Sequence, residues 1–362
     1  MQYEWINNVA NMSADYRIIT FQDTFNQKIE PNTLPNKLKT LAFGKNFNQK
    51  IEPNTLPENL TTLIFSENFN QKIELNTLPE NLTILTFGWF FNRKIEPNTL
   101  PQNISNLTFG CWFNQKIDPN ILPENLITLP TNLTTLIFGN SFNQKIELNT
   151  LPKNLTTLTF GRSFNQKIDP NTLPEKLINL TFGCDFNQNI YSEILPRTLT
   201  TLTFGGNFNQ KIDPNILPRT LTTLTFGGNF NQKIDPNILP ENLTTLTFSR
   251  IFNQNINSEI LPSNLKNINW ILDNKYPLYY KYIKMVNNIP NYYHVKIFVK
   301  RNIYGVDELK WPIHVVNYRE NEWPPEIYEI QDKYIHPFRG PITILINKET
   351  YQPYSSAKSA LK

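Results

Sequence analysis

Histidine, cysteine and methionine are nearly absent from this 362-residue chain, at three, two and three copies, and glycine numbers only 12. The histidines, His294, His314 and His336, stand twenty or more residues apart with no H-x-x-x-H pair and no cysteine partner, so no metal site is expected. There is no G-x-S-x-G, no phosphate loop and no Gly-rich dinucleotide turn. An enzyme is therefore not expected, and neither is a cofactor. No apolar run reaches the length of a membrane helix, and the start Met-Gln-Tyr-Glu-Trp-Ile-Asn-Asn lacks the basic and apolar blocks of a signal peptide. The expectation is a soluble, intracellular protein whose sequons, such as the one at Asn59, carry no glycan.

What the chain has in abundance is repetition. The phrase Phe-Asn-Gln-Lys-Ile recurs with small changes at Phe25, Phe47, Phe69, Phe91, Phe113, Phe142, Phe164, Phe186, Phe208, Phe230 and Phe252. The spacing is 22 residues throughout, save one step of 29 between Phe113 and Phe142 that places an insertion near residues 124–131. A fixed period this short means a solenoid, and solenoids work through their surfaces. Asn follows each Phe, Ile stands four residues on and, allowing for the insertion, Leu nine and Pro ten on. Leu or Ile follows at thirteen and sixteen and Phe at eighteen, with Trp270 replacing it in the last copy. Six buried side chains at about 1.5 to 3 kcal/mol each do not offset the ordering entropy of one coil, so stability must come from stacking.

Leu221-Thr-Thr-Leu-Thr-Phe226 alternates with the period of a short strand, Leu224 and Phe226 inward and Thr223 and Thr225 outward. One strand per coil builds a parallel sheet. Across the coil, Pro214 and Pro218 exclude an α-helix and leave extended or 3₁₀ backbone. The invariant Asn is expected to stack as a ladder, its amide bonding turn backbone and the Asn above. Residues from Tyr16 to Phe21 repeat the strand spacing, which leaves 1–15 as a cap, with Trp5 to Val9 supplying at most a turn or two of helix. Twelve strands at about 4.8 Å give an elongated stack of about 50 to 55 Å.

The Phe-Asn-x-x-Ile core followed by Pro-Asn-x-Leu-Pro on a 22-residue leucine-rich period resembles the FNIP repeat family of amoebae and of the giant viruses that infect them. The resemblance covers about Phe25 to Trp270. It implies a leucine-rich-repeat-like solenoid for protein binding, often placed behind an F-box that recruits a ubiquitin ligase. About fifteen residues precede the first strand, too few for that helical module, so a ubiquitin-ligase component is not an expected partner. The expected function is a protein-protein interaction scaffold, engaging host proteins in the host cytoplasm if the viral kinship holds. The alternative is a structural or self-assembling surface protein that uses the regular Thr rows at Thr201, Thr203, Thr223, Thr225, Thr245 and Thr247.

Charge and variability locate the working surface. Lys recurs three residues after Phe and an acid two further, as in Lys28 and Glu30, so each lysine's field is cancelled and nucleic acid is not an expected partner. Cys111 and Cys184 hold one place in coils three repeats apart, about 14 Å or more, which predicts free thiols. Diversity concentrates in the two residues before each Phe. The candidate partner-binding residues are Trp89, Phe90, Cys111, Trp112, Arg162, Asp185, Arg250 and Ile251, side-chain types that include those dominating binding hot spots. After Trp270 the repeat gives way to an expected α+β cap over 271–362, with a helix from Tyr276 to Val286 and strands at His294 to Lys300 and from Ile342.

Overall fold

The computed structural model describes residues 8–119, 128–249, 251–254, 256, 259–273, 294–303, 306–315 and 342–344. They form a leucine-rich-repeat-like parallel β-solenoid in two compact units, residues 1–199 and 200–362. None of the described residues is α-helical.

The first unit holds β1 (Val9–Met12), β2 (Ile18–Phe21), β3 (Thr40–Ala42), β4 (Thr62–Ile64), β5 (Ile84–Thr86), β6 (Asn106–Thr108), β7 (Thr135–Ile137), β8 (Thr157–Thr159) and β9 (Asn179–Thr181). From β2 to β9 each strand pairs parallel with the next in strict repeat register, as Leu63 opposite Leu85 and Leu85 opposite Leu107. The middle residue of each three-residue strand is buried, which places its flanking pair on the outward face. The N-terminal edge departs from expectation. Val9 lies in β1, a strand antiparallel to β2, because the first parallel strand would otherwise leave a row of backbone groups unpaired. Tyr16 is not strand but occupies the left-handed region at φ 60° in the β1–β2 turn, and β2 begins at Ile18.

Inside the coil two phenylalanine columns run the length of the unit. Phe87 and Phe91 stack within one coil with ring centroids 3.9 Å apart, while Phe87–Phe109 and Phe91–Phe113 stack between coils at 5.6 and 6.1 Å. All four rings are buried. Such stacking adds about 0.5 to 1.5 kcal/mol per pair beyond area burial, so the columns couple each coil to its neighbours.

The side opposite the sheet is built from two tight turns per coil. In Glu30-Pro31-Asn32-Thr33 the Thr33 N–H donates to the Glu30 carbonyl and Asn32 has φ 62°. A positive-φ residue third is the requirement of a type II turn, which favours proline second, and the same Asn recurs at Asn54, Asn76, Asn98, Asn149, Asn171, Asn215 and Asn237. The second turn is closed by Leu38 N–H donating to Pro35 C=O, repeated at Leu60 and Pro57. The invariant Asn forms its ladder through its side-chain oxygen. Asn48 N–H donates to Asn26 Oδ1 at 2.8 Å, and Gln71 Nε2 reaches Asn48 Oδ1 at 3.1 Å. The inserted residues also declare their place. Thr128, Leu129 and Pro130 occupy the Thr-Leu-Pro position of the repeat, with Leu129 fully buried, so the extra length falls before them, among residues outside the described set.

The second unit holds β10 (Thr201–Thr203), β11 (Thr223–Thr225), β12 (Thr245–Ser249), β13 (Asn267–Asp273), β14 (His294–Ile303), β15 (Val306–Val315) and β16 (Ile342–Ile344). Strands β10 to β14 run parallel, β15 turns antiparallel to β14, and β16 pairs parallel with β15. The strands expected at His294 and Ile342 are present; the helix expected from Tyr276 to Val286 lies outside the described residues.

Candidate interaction edge

Each strand ends in a turn whose geometry dictates which residues are free to vary. In Gly88-Trp89-Phe90-Phe91 the Phe91 N–H donates to the Gly88 carbonyl at 3.2 Å, and Gly110-Cys111-Trp112-Phe113 closes identically. Both ends are constrained. The Phe is a core ring, and where Gly stacks on Gly a side chain does not fit without a shift, because a Cβ on Gly110 would lie 1.6 Å from the Gly88 carbonyl oxygen. Gln22, Ser66 and Ser249 stand at this place in the other coils, the Ser66 hydroxyl donating to the Phe47 carbonyl. The two central residues are exposed or half-buried and none is a core side chain, so the sequence is freer to vary there.

These turns stack by one backbone bond per coil. Phe90 N–H donates to Glu67 C=O, Trp112 to Trp89, Ser141 to Cys111, Ser163 to Asn140 and Asp185 to Arg162, at 2.7 to 2.9 Å. The result is an edge that displays two side chains about every 4.8 Å. Trp89, Phe90 and Trp112 are 50, 40 and 54% exposed. The Phe90 and Trp112 rings meet at a centroid distance of 5.8 Å and an angle of 45°, within the preferred range for tilted aromatic pairs. Arg162 is exposed, whereas Cys111 and Asp185 are half-buried, and both cysteines are free thiols. In the second unit Ile251 is exposed and Arg250 lies outside the described residues.

Other exposed apolar side chains accompany this trio. Ile64 and Ile84, which interrupt the Thr rows, sit diagonally on the outward sheet face of adjacent coils and are about two-fifths exposed. Leu75 and Leu148 are more exposed still, at 55 and 56%. They replace the proline of the type II turn, a substitution visible in the sequence as the two Glu-Leu-Asn exceptions to Pro-Asn.

The charged ladder is paired as its spacing implies. Lys28–Glu30, Lys50–Glu52 and Lys72–Glu74 bridge within coils at 3.2 to 3.4 Å, and Lys94 and Lys145 also reach the next coil, to Asp118 and Asp169, at 3.1 Å. Hydrogen bonds to those aspartates hold both lysines above their ordinary pKa, with the aspartate charges adding to the effect. Among the described residues no group of three His, Cys, Asp or Glu side chains is placed to hold a metal ion, and no helix is long and apolar enough to cross a membrane.

A stacked leucine-rich-like coil with Phe columns, an Asn ladder and variable turns defines a class of repeat solenoid. More narrowly, the FNIP Repeat family matches residues 17–46, 25–68, 47–90, 69–112, 127–163, 142–185, 186–229 and 230–270, and the chain belongs to that family. Its fold is similar to a crystal structure described as CroV588, a novel circular LRR protein structure, at 44% identity and a TM-score of 0.63 over 79% of this chain. The chain spans 43% of that protein's length. No curated protein matches it.

Proposed function

We propose that this chain is a non-enzymatic protein-binding scaffold whose partner lies on the turn edge centred on Trp89, Phe90 and Trp112. The observation that carries this reading is that three large aromatic side chains, 40 to 54% exposed, crowd into two adjacent coils at turn positions outside the core. Exposed aromatics of this kind are the residue types that dominate binding energy at protein interfaces. The family's association with giant viruses of amoebae makes host proteins the natural source of the partner.

The test is affinity capture from host-cell lysate by the intact chain beside its Trp89→Ala/Trp112→Ala variant, after circular dichroism and urea unfolding show equal folding. A partner retained by the first and lost by the second is the expected result. Equal capture would move the site elsewhere. The second reading, self-assembly through the Thr face, is favoured by the in-register alignment of Thr201, Thr223 and Thr245 and of Thr203, Thr225 and Thr247. It predicts light scattering that grows with protein concentration.

A further inference from the structure

Taking the edge as a partner-binding surface, we propose that it receives an extended segment of the partner in which a large apolar residue is followed three or four residues later by a carboxylate, with Arg162 holding the carboxylate. The backbone excludes the commonest alternative for an extended ligand. Every turn from Phe90 to Asp185 has its second N–H committed to the carbonyl of the preceding turn, so those N–H groups are not open to strand addition. Recognition there falls to side chains.

Charge then orders the side chains. Toward the N-terminal side of the aromatics, Lys45 is neutralised by Glu67 at 3.4 Å, and its own N–H donates to the Asp23 carboxylate at 3.0 Å. Toward the other side Cys111, Asn140 and Ser141 carry no formal charge, and Arg162 follows. It is exposed and forms no ion pair among the described residues. Arg162 is thus the sole cation on the turn positions from Trp89 to Asp185; the Asp185 carboxylate, one turn on, forms no ion pair with it, and the Arg162 guanidinium matches a carboxylate with two parallel hydrogen bonds. Two coil steps separate the turn of Trp112 from that of Arg162, about 10 Å, and three separate Trp89 from it, about 14 Å. An extended chain at about 3.3 Å per residue covers those distances in three to four residues.

The probe is a phage-displayed library of random dodecapeptides, selected in parallel on the intact chain, on Arg162→Glu and on Trp89→Ala/Trp112→Ala. Arg162→Gln stands in if the reversal does not fold, and each variant is checked by urea midpoint. The intact chain is expected to enrich a large apolar residue followed at three or four positions by Asp or Glu. Arg162→Glu should weaken those peptides about fivefold and enrich Lys or Arg at the same place, whereas Arg162→Gln should weaken them and enrich neither charge. Peptides lost with the Trp variant yet indifferent to both Arg162 variants would overturn this inference while leaving the aromatic edge intact. No enrichment, or peptides indifferent to the Trp variant, would overturn both.

Discussion

Replacing Thr150 by Ile should stabilise the protein, although Thr is the residue most coils carry there. Thr150 is fully buried and its Oγ1 has no hydrogen-bond partner among the described residues; Thr55, Thr77 and Thr172 share that condition at the same repeat position. Three later coils place Ile194, Ile216 and Ile238 there instead, all buried, so the cavity accepts the larger side chain. An unpaired buried hydroxyl costs about 1 to 3 kcal/mol, and the added methylene contributes about 0.8 kcal/mol, which together predict a gain of about 1 to 2 kcal/mol after imperfect packing. Thr99 is the control, because its Oγ1 donates to the Glu96 carbonyl at 2.7 Å. There the lost bond, about 1 kcal/mol, cancels the gain, and Thr99→Ile should be neutral. The assay is urea unfolding of both variants followed by circular dichroism, with the slope checked for constancy. Equal effects at the two positions, or a loss of stability in Thr150→Ile, would refute the reasoning, since the first means the two hydroxyls do not differ and the second that the site does not accept the larger side chain.

A Cβ on Gly161 would lie 1.9 Å from the Gly139 carbonyl oxygen, so Gly161→Ala should cost about 2 kcal/mol or more in the same assay. Glu193 sits in the left-handed region at φ 70° where most coils have Asn, and Glu193→Asn should stabilise the protein by about 1 kcal/mol, seen as a higher urea midpoint. The hydrogen bond from Lys233 lowers the pKa of Asp235 below its ordinary 3.8, so its contribution is present above that value and lost as pH falls through the depressed one. Lys145, raised above 10.5 by its hydrogen bond to Asp169, contributes fully below that value and loses its share as pH rises through the elevated one. Stability should therefore show no step from these groups between about pH 5 and 9, which urea midpoints across pH will check, and Asp235 should titrate low by NMR.

The period of the Phe-Asn-x-x-Ile phrase and the Leu-x-x-Leu-x-Phe alternation were enough to place the strands β2 to β13 and their core residues, because each apolar position is repeated eleven times and noise averages out. The turns were harder. Pro-Asn marks the type II turn only once the Asn is known to take positive φ, and Tyr16 looked like strand because its spacing matched the repeat while its conformation did not. Val9 pairs with β2 through backbone groups that no side-chain pattern advertises. Variability alone picked out Trp89 and Trp112; the contact between Phe90 and Trp112 depends on the coil spacing and the turn geometry together, which the one-dimensional pattern does not carry.

The Gly-x-x-Phe turn also sets how such a surface can change over generations. A duplicated or deleted coil moves every downstream turn by one step of about 4.8 Å and leaves the neighbours of each core ring chemically the same. The distance between two displayed side chains is therefore a quantised variable, tuned by unequal recombination between nearly identical repeats, while the identity of each side chain is tuned separately by point mutation.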